Sequence, residues 1–398
     1  MNAPSSKDHG NAVAEAHATR WFDASTIDGC PWSDTAHARW VRSYWEPFVK
    51  KGASRLIRNV VTTPLLLQVD DVFLPVTVNP GGEDTCYVCS PLAHYVTYAI
   101  EELRELRSPP LERLLAWVLR ALGWFLRWGD VDRVLHVNNA LLSTNLYPRL
   151  SASQVRSVVD AARARFPDHA VVFRSLNPTT CAAWMSHLRA VGAAFVASRQ
   201  VYVFPDLDER SLTRDEQREL RRDRALWDRS DYSIRPGEPF TAEELDRGID
   251  LYGQLYLEKY STLNPQFTVE WLKDVSASGA MGVFGISRAG HMDGIVGYFQ
   301  VEGVLTTPLF GYDMAIPRER GLYRMLSSLT LATAFDASCL DHASSGVASF
   351  KQNRGYRSAI EYSAVLTSHL GWRRRVVWRV LHALMENVAV PLLRKHKL

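Results

Sequence analysis

The feature that most constrains the fold of this 398-residue chain is an order of elements that occurs twice. Apolar runs with a period of two residues predict strands, and a 3.6-residue period predicts helices. The first series is strand, helix, strand, helix, strand, at 131–142, 151–166, 170–176, 177–191 and 194–204. The second has the same order at 304–314, 320–337, 339–342, 344–354 and 358–367. This order predicts an α/β chain with an internal structural duplication.

The second series has further elements before it. Amphipathic patterns predict helices at 242–260 and 269–278, and a hairpin follows with strands at 281–287 and 295–302. Residues 240–367 are therefore expected to form a mixed sheet in the order helix, helix, strand, strand, strand, helix, strand, helix, strand.

A glycine stands at the start of the helix predicted at 320–337. The local sequence is Arg318-Glu319-Arg320-Gly321-Leu322-Tyr323. Backbone N–H groups at a helix N-terminus have no intrahelical acceptor and bind phosphate well, and glycine lets a phosphate come close to the backbone. Arg318 and Arg320 can add charge-assisted hydrogen bonds. The junction predicts a diphosphate-binding turn.

A second motif, Phe350-Lys351-x-x-x-Gly355, lies at the end of the helix predicted at 344–354. Together the two motifs resemble the Arg/Gln-x-x-Gly-x-Gly/Ala signature and the fourth-helix ending of the GNAT acyltransferases. The lysine form of the ending is similar to the FemAB-like subgroup, which carries two GNAT folds in one chain. So is Leu220-Arg221-Arg222, in the arginine-rich stretch before the second unit. The resemblance rests on motifs over 206–367 and on element order alone over 131–204.

The resemblance implies two tandem GNAT-like domains, a degenerate one at 31–205 and an acyltransferase domain at 206–370. In the first domain Tyr147-Pro148-Arg149-Leu150 occupies the place of the Arg-x-x-Gly motif, so that domain is expected to be a scaffold or an acceptor site. Residues 1–30 are predicted to be a disordered arm. Residues 371–398 are predicted to form a basic amphipathic helix.

The chemistry implied by the resemblance is direct attack of a small amine on the acyl carbonyl of a thioester. The donor is expected to be acyl-CoA or an acyl carrier protein thioester, held by Arg318, Arg320, Gly321, Tyr323 and Lys351. Tyr323 stands where the family has glycine or alanine and is expected to narrow the groove. Lys351 replaces the tyrosine acid of the wider GNAT group, and as a point charge it can hold a phosphate or a carboxylate.

Three residues at predicted strand ends, expected to face the same cleft, are candidates for removing the amine proton, namely His342, Asp313 and Glu302. An ordinary histidine pKa near 6.5 suits base catalysis around neutral pH. Backbone N–H groups near 310–312 are candidates for stabilising the oxyanion. The alternatives are that Asp313 forms a turn and that His342 caps the following helix.

Two other functions stay open at this stage. FemAB-type folds also allow aminoacyl-tRNA-dependent transfer, and a GNAT fold can serve as a non-catalytic binding protein. The net charge of +3 does not indicate nucleic acid by itself, but residues 371–398 hold seven Lys/Arg residues against one acid. This tail is predicted to pack on the domain, or alternatively to contact lipid headgroups, a tRNA or an acyl carrier protein.

Composition indicates a reduced, cytoplasmic protein. The chain shows no signal-peptide pattern and no uncharged apolar run long enough for a transmembrane segment. Its five cysteines are expected to be free thiols. No metal site is predicted, and Cys86 and Cys89 are expected to be buried thiols in a strand.

Overall fold

The computed structural model describes residues 17–81, 85–106, 108–205, 208–235 and 239–396. In this part of the chain twelve strands form one sheet. The first six are β1 (Thr19–Phe22), β2 (Thr63–Val69), β3 (Val72–Val78), β4 (Val134–Val137), β5 (Ala170–Leu176) and β6 (Ala194–Phe204). The other six are β7 (Ser233–Arg235), β8 (Gly282–Arg288), β9 (His291–Val301), β10 (Val304–Tyr312), β11 (Leu340–His342) and β12 (Arg357–Leu366).

The order of strands across the sheet is symmetric. It runs β1-β2-β3-β4-β5-β12-β6-β11-β10-β9-β8-β7. Each strand of the first six has a counterpart six numbers later, so that β1 corresponds to β7 and β2 to β8. When every strand is replaced by its counterpart, the same strand order results, in the opposite direction across the sheet. The two parallel pairs, β4–β5 and β10–β11, also correspond. The sheet therefore consists of two structural repeats related by a pseudo-twofold axis, and the predicted mixed α/β fold with two tandem units is confirmed.

The last strand of each repeat lies inside the other repeat. β12 is hydrogen-bonded to β5 and to β6, and β6 is hydrogen-bonded to β12 and to β11. The β6–β12 pair therefore forms the centre of the sheet. Because of this exchange, each repeat completes its sheet only with a strand from the other.

Helices cover the sheet. They are α1 (Ala36–Lys51), α2 (Ala53–Leu56), α3 (Tyr98–Glu102), α4 (Pro109–Trp128), α5 (Ala152–Arg165), α6 (Ala182–Ala190), α7 (Arg214–Asp228), α8 (Ala242–Gly253), α9 (Val269–Ala277), α10 (Leu322–Asp336), α11 (Ala348–Gln352), α12 (Trp372–Leu384) and α13 (Val390–His396). Capping boxes start α5, α7 and α8, where Ser151, Thr213 and Thr241 each accept the backbone N–H three residues later.

Residues 31–130, for which the sequence provides no family motif, supply the opening elements of the first repeat. α1, α2 and the β2–β3 hairpin correspond to α8, α9 and the β8–β9 hairpin. The repeats differ after the hairpin, because residues 79–133, which include α3 and α4, connect β3 to β4. In the second repeat the two residues Glu302 and Gly303 make the same connection.

Several predicted bounds are wrong for identifiable backbone reasons. The strand predicted at 131–142 ends at Val137, because Asn138 and Leu141 have φ of 56° and 59°. The helix predicted at 344–354 is reduced to α11, since Ser344, Gly346 and Val347 also have positive φ. A left-handed residue ends regular pairing or helical hydrogen bonding.

The prediction for the N-terminal end of the chain needs correction. The arm predicted to be disordered at 1–30 contains strand β1, which pairs with β2, and residues 1–16 lie outside the described part. Among the described helices, the continuous segment Trp372–Arg394 is 23 residues long and apolar enough to cross a membrane, by length and composition only. In the structure its residues Val377, Trp378 and Leu381 are buried against the protein.

Candidate functional site

The two parallel strands of the second repeat stay together over only three residue pairs. Val304–Thr306 pairs with Leu340–His342, and the register of β10 with β9 shifts between Thr306 and Leu309. Beyond the shift, β10 continues to Tyr312 beside β9. The ends of β10 and β11 therefore diverge, and this wedge, with the α10 N-terminus above it, is the candidate site.

The predicted phosphate turn lies at the start of α10. Arg318–Arg320 forms an exposed 3₁₀ turn, and Gly321 adopts φ of 73° as the N-terminal cap of the helix. A Cβ atom on Gly321 would lie 2.5 Å from Leu226 Cδ2 of α7. Glycine is therefore required here both by the left-handed backbone and by the close approach of α7. Arg318 and Arg320 make the solvent-facing surface at this helix start positive. The guanidinium of Arg320 lies 3.7 Å from the Asp231 carboxylate.

Tyr323 occupies the wedge with three other aromatic side chains. Its ring centroid lies 4.9 Å from Phe350, 5.4 Å from Phe310 and 6.1 Å from Tyr312. Burial raises the pKa of the Tyr323 hydroxyl, so that hydroxyl stays protonated. The narrowing expected from a tyrosine at this position thus takes the form of an aromatic cluster between β10, α10 and α11.

Lys351 is buried and does not reach the exposed arginine turn. Its Nζ donates hydrogen bonds to the carbonyl oxygens of Ala343 (2.7 Å) and Ser345 (2.8 Å), and it lies 5.4 Å from the ring centroid of Tyr202. Burial lowers the pKa of the Lys351 ammonium to about 7, although nearby Asp341 opposes this shift. Lys351 thus contacts the turn after β11 and Tyr202 of β6, and it does not contact the predicted phosphate turn.

Asp341 is the second ionisable group of this cluster. Its side chain is fully buried, its Oδ2 accepts a hydrogen bond from the Tyr356 hydroxyl, and its Oδ1 has no hydrogen-bond partner among the described residues. Burial raises the pKa of Asp341 to about 6, while the hydrogen bond from Tyr356 and the charge of Lys351 oppose the rise. Two groups that titrate close to neutral pH therefore lie together at the junction of β11 and α11.

His342 is buried at the end of β11. Its Nδ1 accepts the backbone N–H of Ser344 at 3.2 Å, and its carbonyl oxygen accepts the Thr306 hydroxyl at 2.9 Å. Burial lowers the pKa of His342 to about 4, so the imidazole is neutral at neutral pH. These contacts hold the turn that follows β11. The alternative that His342 caps the following helix is wrong, because the N-cap of α11 is Val347 and no side chain caps it.

The structure separates the other two candidate bases from this cluster. Asp313 forms an ion pair with Arg247 at 2.5 Å and accepts the backbone N–H of Ala315, as a turn residue does. Glu302 lies in the turn at the opposite end of β10, where it pairs with Arg149 at 2.8 Å. The expectation that His342, Asp313 and Glu302 face one cleft is therefore wrong.

Helix α7 closes over the site through contacts that sequence reasoning missed. Its buried Asp223 accepts hydrogen bonds from Arg324 of α10 and from Arg354, directly after α11. Its Trp227 donates to the carbonyl oxygen of Met325 at 3.1 Å. The high density of charged residues in this stretch of the sequence gives no signal that Glu216 and Asp223 are buried.

A second polar network joins the two repeats beside the cluster. Arg199 of β6 pairs with Glu361 of β12 at 2.9 Å, and it also donates to Ser143 and Thr144 from the loop after β4. Thr144 in turn donates to Ser344 at 3.4 Å. A buried, multiply bonded ion pair of this kind fixes the positions of the two loops. Charged residues within predicted strands were the only sequence signal of it.

A small cavity lies on the side of the first repeat. It measures about 10 Å³ and is lined by residues that include Arg174, His136 and Trp378. Arg174 donates to Asn139 at 3.1 Å. His136 Nδ1 and Trp378 Nε1 have no hydrogen-bond partner in the described part of the chain. A volume of this size holds about one water molecule, which could bridge such groups.

Among the described residues, no group of three or more His, Cys, Asp or Glu side chains is placed to hold a metal ion. All five cysteines are buried and free. Cys86 and Cys89 are buried as expected, but they lie in a turn and not in a strand.

No protein-family model and no curated protein matches the chain. Solved structures are similar in fold at low identity. The L-PGS structure from Bacillus licheniformis is 16% identical over 58% of this chain and 78% of that chain, with a TM-score of 0.42. The FemX structure is 8% identical over 58% of this chain and 80% of that chain, with a TM-score of 0.41. A tandem GNAT protein from the clavulanic acid biosynthesis pathway is 9% identical over 87% of this chain and 98% of that chain, with a TM-score of 0.36. The likeness concerns the fold alone.

Proposed function

We propose that this protein is an N-acyltransferase that moves an acyl group from a thioester, preferably acyl-CoA, to a small amine. The observation that carries the proposal is the divergence of β10 from β11 directly below the glycine-started helix α10. A helix start with an exposed arginine turn binds a diphosphate, and the buried Asp341 lies on β11, one of the two strands that diverge. The donor would lie with its phosphates at Arg318–Gly321 and its thioester in the wedge.

In this proposal, the amine nitrogen attacks the thioester carbonyl carbon. A carbon–nitrogen bond forms, the carbon–sulfur bond breaks, and the thiolate leaves. The proton lost by the amine passes to Lys351 in its neutral form. A neutral amine has two N–H groups and one lone pair, and the two N–H groups are taken by the carbonyl oxygens of Ala343 and Ser345. The lone pair is then free to accept a proton at about neutral pH.

Donor binding by the full chain tests the proposal. Calorimetric titration with coenzyme A and acetyl-CoA should give saturable binding with a shallow salt dependence, because few phosphates are contacted. The Arg318→Glu/Arg320→Glu variant should weaken binding at least about tenfold by placing negative charge at the diphosphate site. The matched control is Arg39→Glu/Arg42→Glu, a reversal of two exposed charges on α1. Equal loss of affinity in both variants would remove the donor-site assignment.

The same titration includes an acyl carrier protein loaded with the same acyl group and a charged tRNA. A carrier protein that binds in place of coenzyme A would keep the thioester chemistry and change the donor. Binding of tRNA that falls steeply with salt would favour aminoacyl-tRNA-dependent transfer.

A second candidate function is non-catalytic binding, and the aromatic cluster around Tyr323 is the observation that favours it. Four rings fill the space where a thioester would lie. If none of the three donors binds and no thiol is released from acyl-CoA in the presence of an amine, this second function replaces the first.

A further inference from the structure

The outer face of α4 is apolar although it faces solvent. Trp124 is 82% exposed, Trp117 is 68% exposed and Leu114 is 59% exposed. The opposite face, which includes Leu126, packs into the protein. Single exposed apolar residues are common on soluble proteins, but several on one helix face mark a binding surface. The exposed apolar side chains of α4 are Leu111, Leu114, Trp117, Val118, Trp124 and Trp128.

A stripe of arginines borders this apolar face. Arg113, Arg120 and Arg127 are spaced seven residues apart, which is close to two helical turns, so they lie one above another. All three are exposed, and the helix contains one acid, Glu112. Tryptophan and leucine on one face with arginine along its edge is the composition of helices that lie in a membrane interface.

The C-terminal segment, α12 to α13, continues the same surface. The Trp372 ring lies 5.7 Å from Trp128, and the Arg373 guanidinium lies 5.7 Å from the same ring. Trp372 is 65% exposed, and Val380 and Leu392 are also exposed. Two helices from distant parts of the chain thus meet through tryptophans that both face solvent.

The packing of these helices indicates that they lie on a surface and do not cross it. A Cβ atom on Gly129, directly after α4, would come within 2.1 Å of Val377, so the two segments are in tight contact. Val377, Trp378 and Leu381 are buried in a cluster that also contains Leu126. Extraction of the C-terminal segment to span a bilayer would expose that cluster to water.

We propose that α4 and the segment α12 to α13 form a docking surface for a bilayer that contains anionic lipids. The tryptophan and leucine side chains enter the interface, and the arginine stripe binds the lipid phosphates. The surface belongs to the connection 79–133 and to the C-terminus, outside the strands shared by the two repeats. It is therefore independent of the chemistry proposed for the wedge.

The experiment is sedimentation of the full chain with vesicles of phosphatidylcholine alone or of phosphatidylcholine mixed with phosphatidylglycerol. We expect binding to the mixed vesicles, which falls as salt rises, and much weaker binding to the neutral ones. The double variant Trp117→Ser/Trp124→Ser should lower the partition coefficient between water and the mixed vesicles at least about tenfold at every salt concentration. Arg113→Glu/Arg120→Glu should lower binding to the mixed vesicles and leave binding to the neutral vesicles unchanged.

The matched control is Ile234→Ser on β7, which removes an apolar side chain that is 42% exposed at an edge of the sheet. It should bind vesicles as the unaltered chain does, and circular dichroism should show equal folding for all variants. Failure of the full chain to bind either vesicle, or unchanged binding by the tryptophan variant, overturns the proposal. A dimer in solution that the tryptophan variant dissociates, with no vesicle binding, would instead assign the surface to a second copy of the chain.

Discussion

Asp341 and Lys351 have pKa values that burial shifts toward each other. The Asp341 value rises to about 6 and the Lys351 value falls to about 7, because removal from water disfavours the charged form of each. The sequence indicates Lys351 through its motif, but it provides no signal for Asp341, which looks like one more residue of a short strand. Burial of a carboxylate depends on the tertiary fold and cannot be derived from neighbouring residues.

Replacement of Asp341 by asparagine tests this burial through the pH dependence of stability. The folded-state pKa is raised from 3.8 to about 6, so the stabilising contribution of the protonated carboxyl is present below about pH 4 and is lost as pH rises to about 6. Relative to Asp341→Asn, the unaltered protein should lose unfolding free energy on the order of 3 kcal/mol across that window. Urea denaturation at several pH values measures it, with the exposed Asp160→Asn as control. Parallel stability curves for Asp341→Asn and the unaltered protein would contradict the burial.

Lys351→Arg tests proton transfer. Arginine can donate to the same two carbonyl oxygens, but it does not lose its proton. Turnover of the unaltered protein should rise with pH through about 7, as Lys351 becomes neutral, and the variant should lose this inflection together with about 100-fold of its rate. His342→Gln should keep the inflection, because the pKa of His342 is lowered to about 4. An inflection that survives in Lys351→Arg would assign it to another group.

At the scale of elements, periodicity predicted the structure well where the backbone is regular. The helix expected at 320–337 is α10, and the strand expected at 358–367 is β12. It failed where the chain takes left-handed conformations at non-glycine residues such as Asn138 and Val347, because the tertiary contacts of a loop impose them. These two loops meet through the hydrogen bond from Thr144 to Ser344, so the regions that sequence reasoning described worst include part of the site.

Tyr323→Ala at the start of α10 tests whether the aromatic cluster obstructs the wedge. The GNAT signature that this sequence resembles has glycine or alanine at this position, and removal of the ring leaves space between Phe310 and Phe350. We expect coenzyme A affinity to rise several-fold by calorimetry while the melting temperature falls, since a buried aromatic side chain is lost. Tyr298→Ala, which removes a ring stacked on Phe284 elsewhere in the sheet, should lower stability without a gain in affinity. A loss of affinity in Tyr323→Ala would show that the ring contacts the donor.

At the scale of the whole molecule, the duplication was readable but the strand exchange was not. Each strand has the same alternating pattern whichever neighbour it pairs with, so the sequence cannot tell whether β12 pairs within its own repeat or across. The structure places β12 between β5 and β6, and β6 between β12 and β11. A cut of the chain between residues 205 and 206 therefore divides the sequence into its two repeats but leaves each sheet without one central strand.

The exchange predicts how fragments of the chain will behave. A fragment of residues 206–398 lacks β6, which pairs with both β11 and β12 in the full chain. The backbone edges of β11 and β12 that bind β6 would therefore be exposed. We expect this fragment to aggregate and not to unfold cooperatively. A fragment of residues 192–398 retains β6 between those two strands and should be the more soluble and the more stable of the pair. Co-expression of 1–205 with 206–398 should restore a complex with a single thermal transition. Calorimetry and light scattering on the purified fragments measure these differences. Cooperative unfolding of 206–398 alone, at the melting temperature of the full chain, would show that the second repeat is self-sufficient and that the exchanged strand contributes little to its stability.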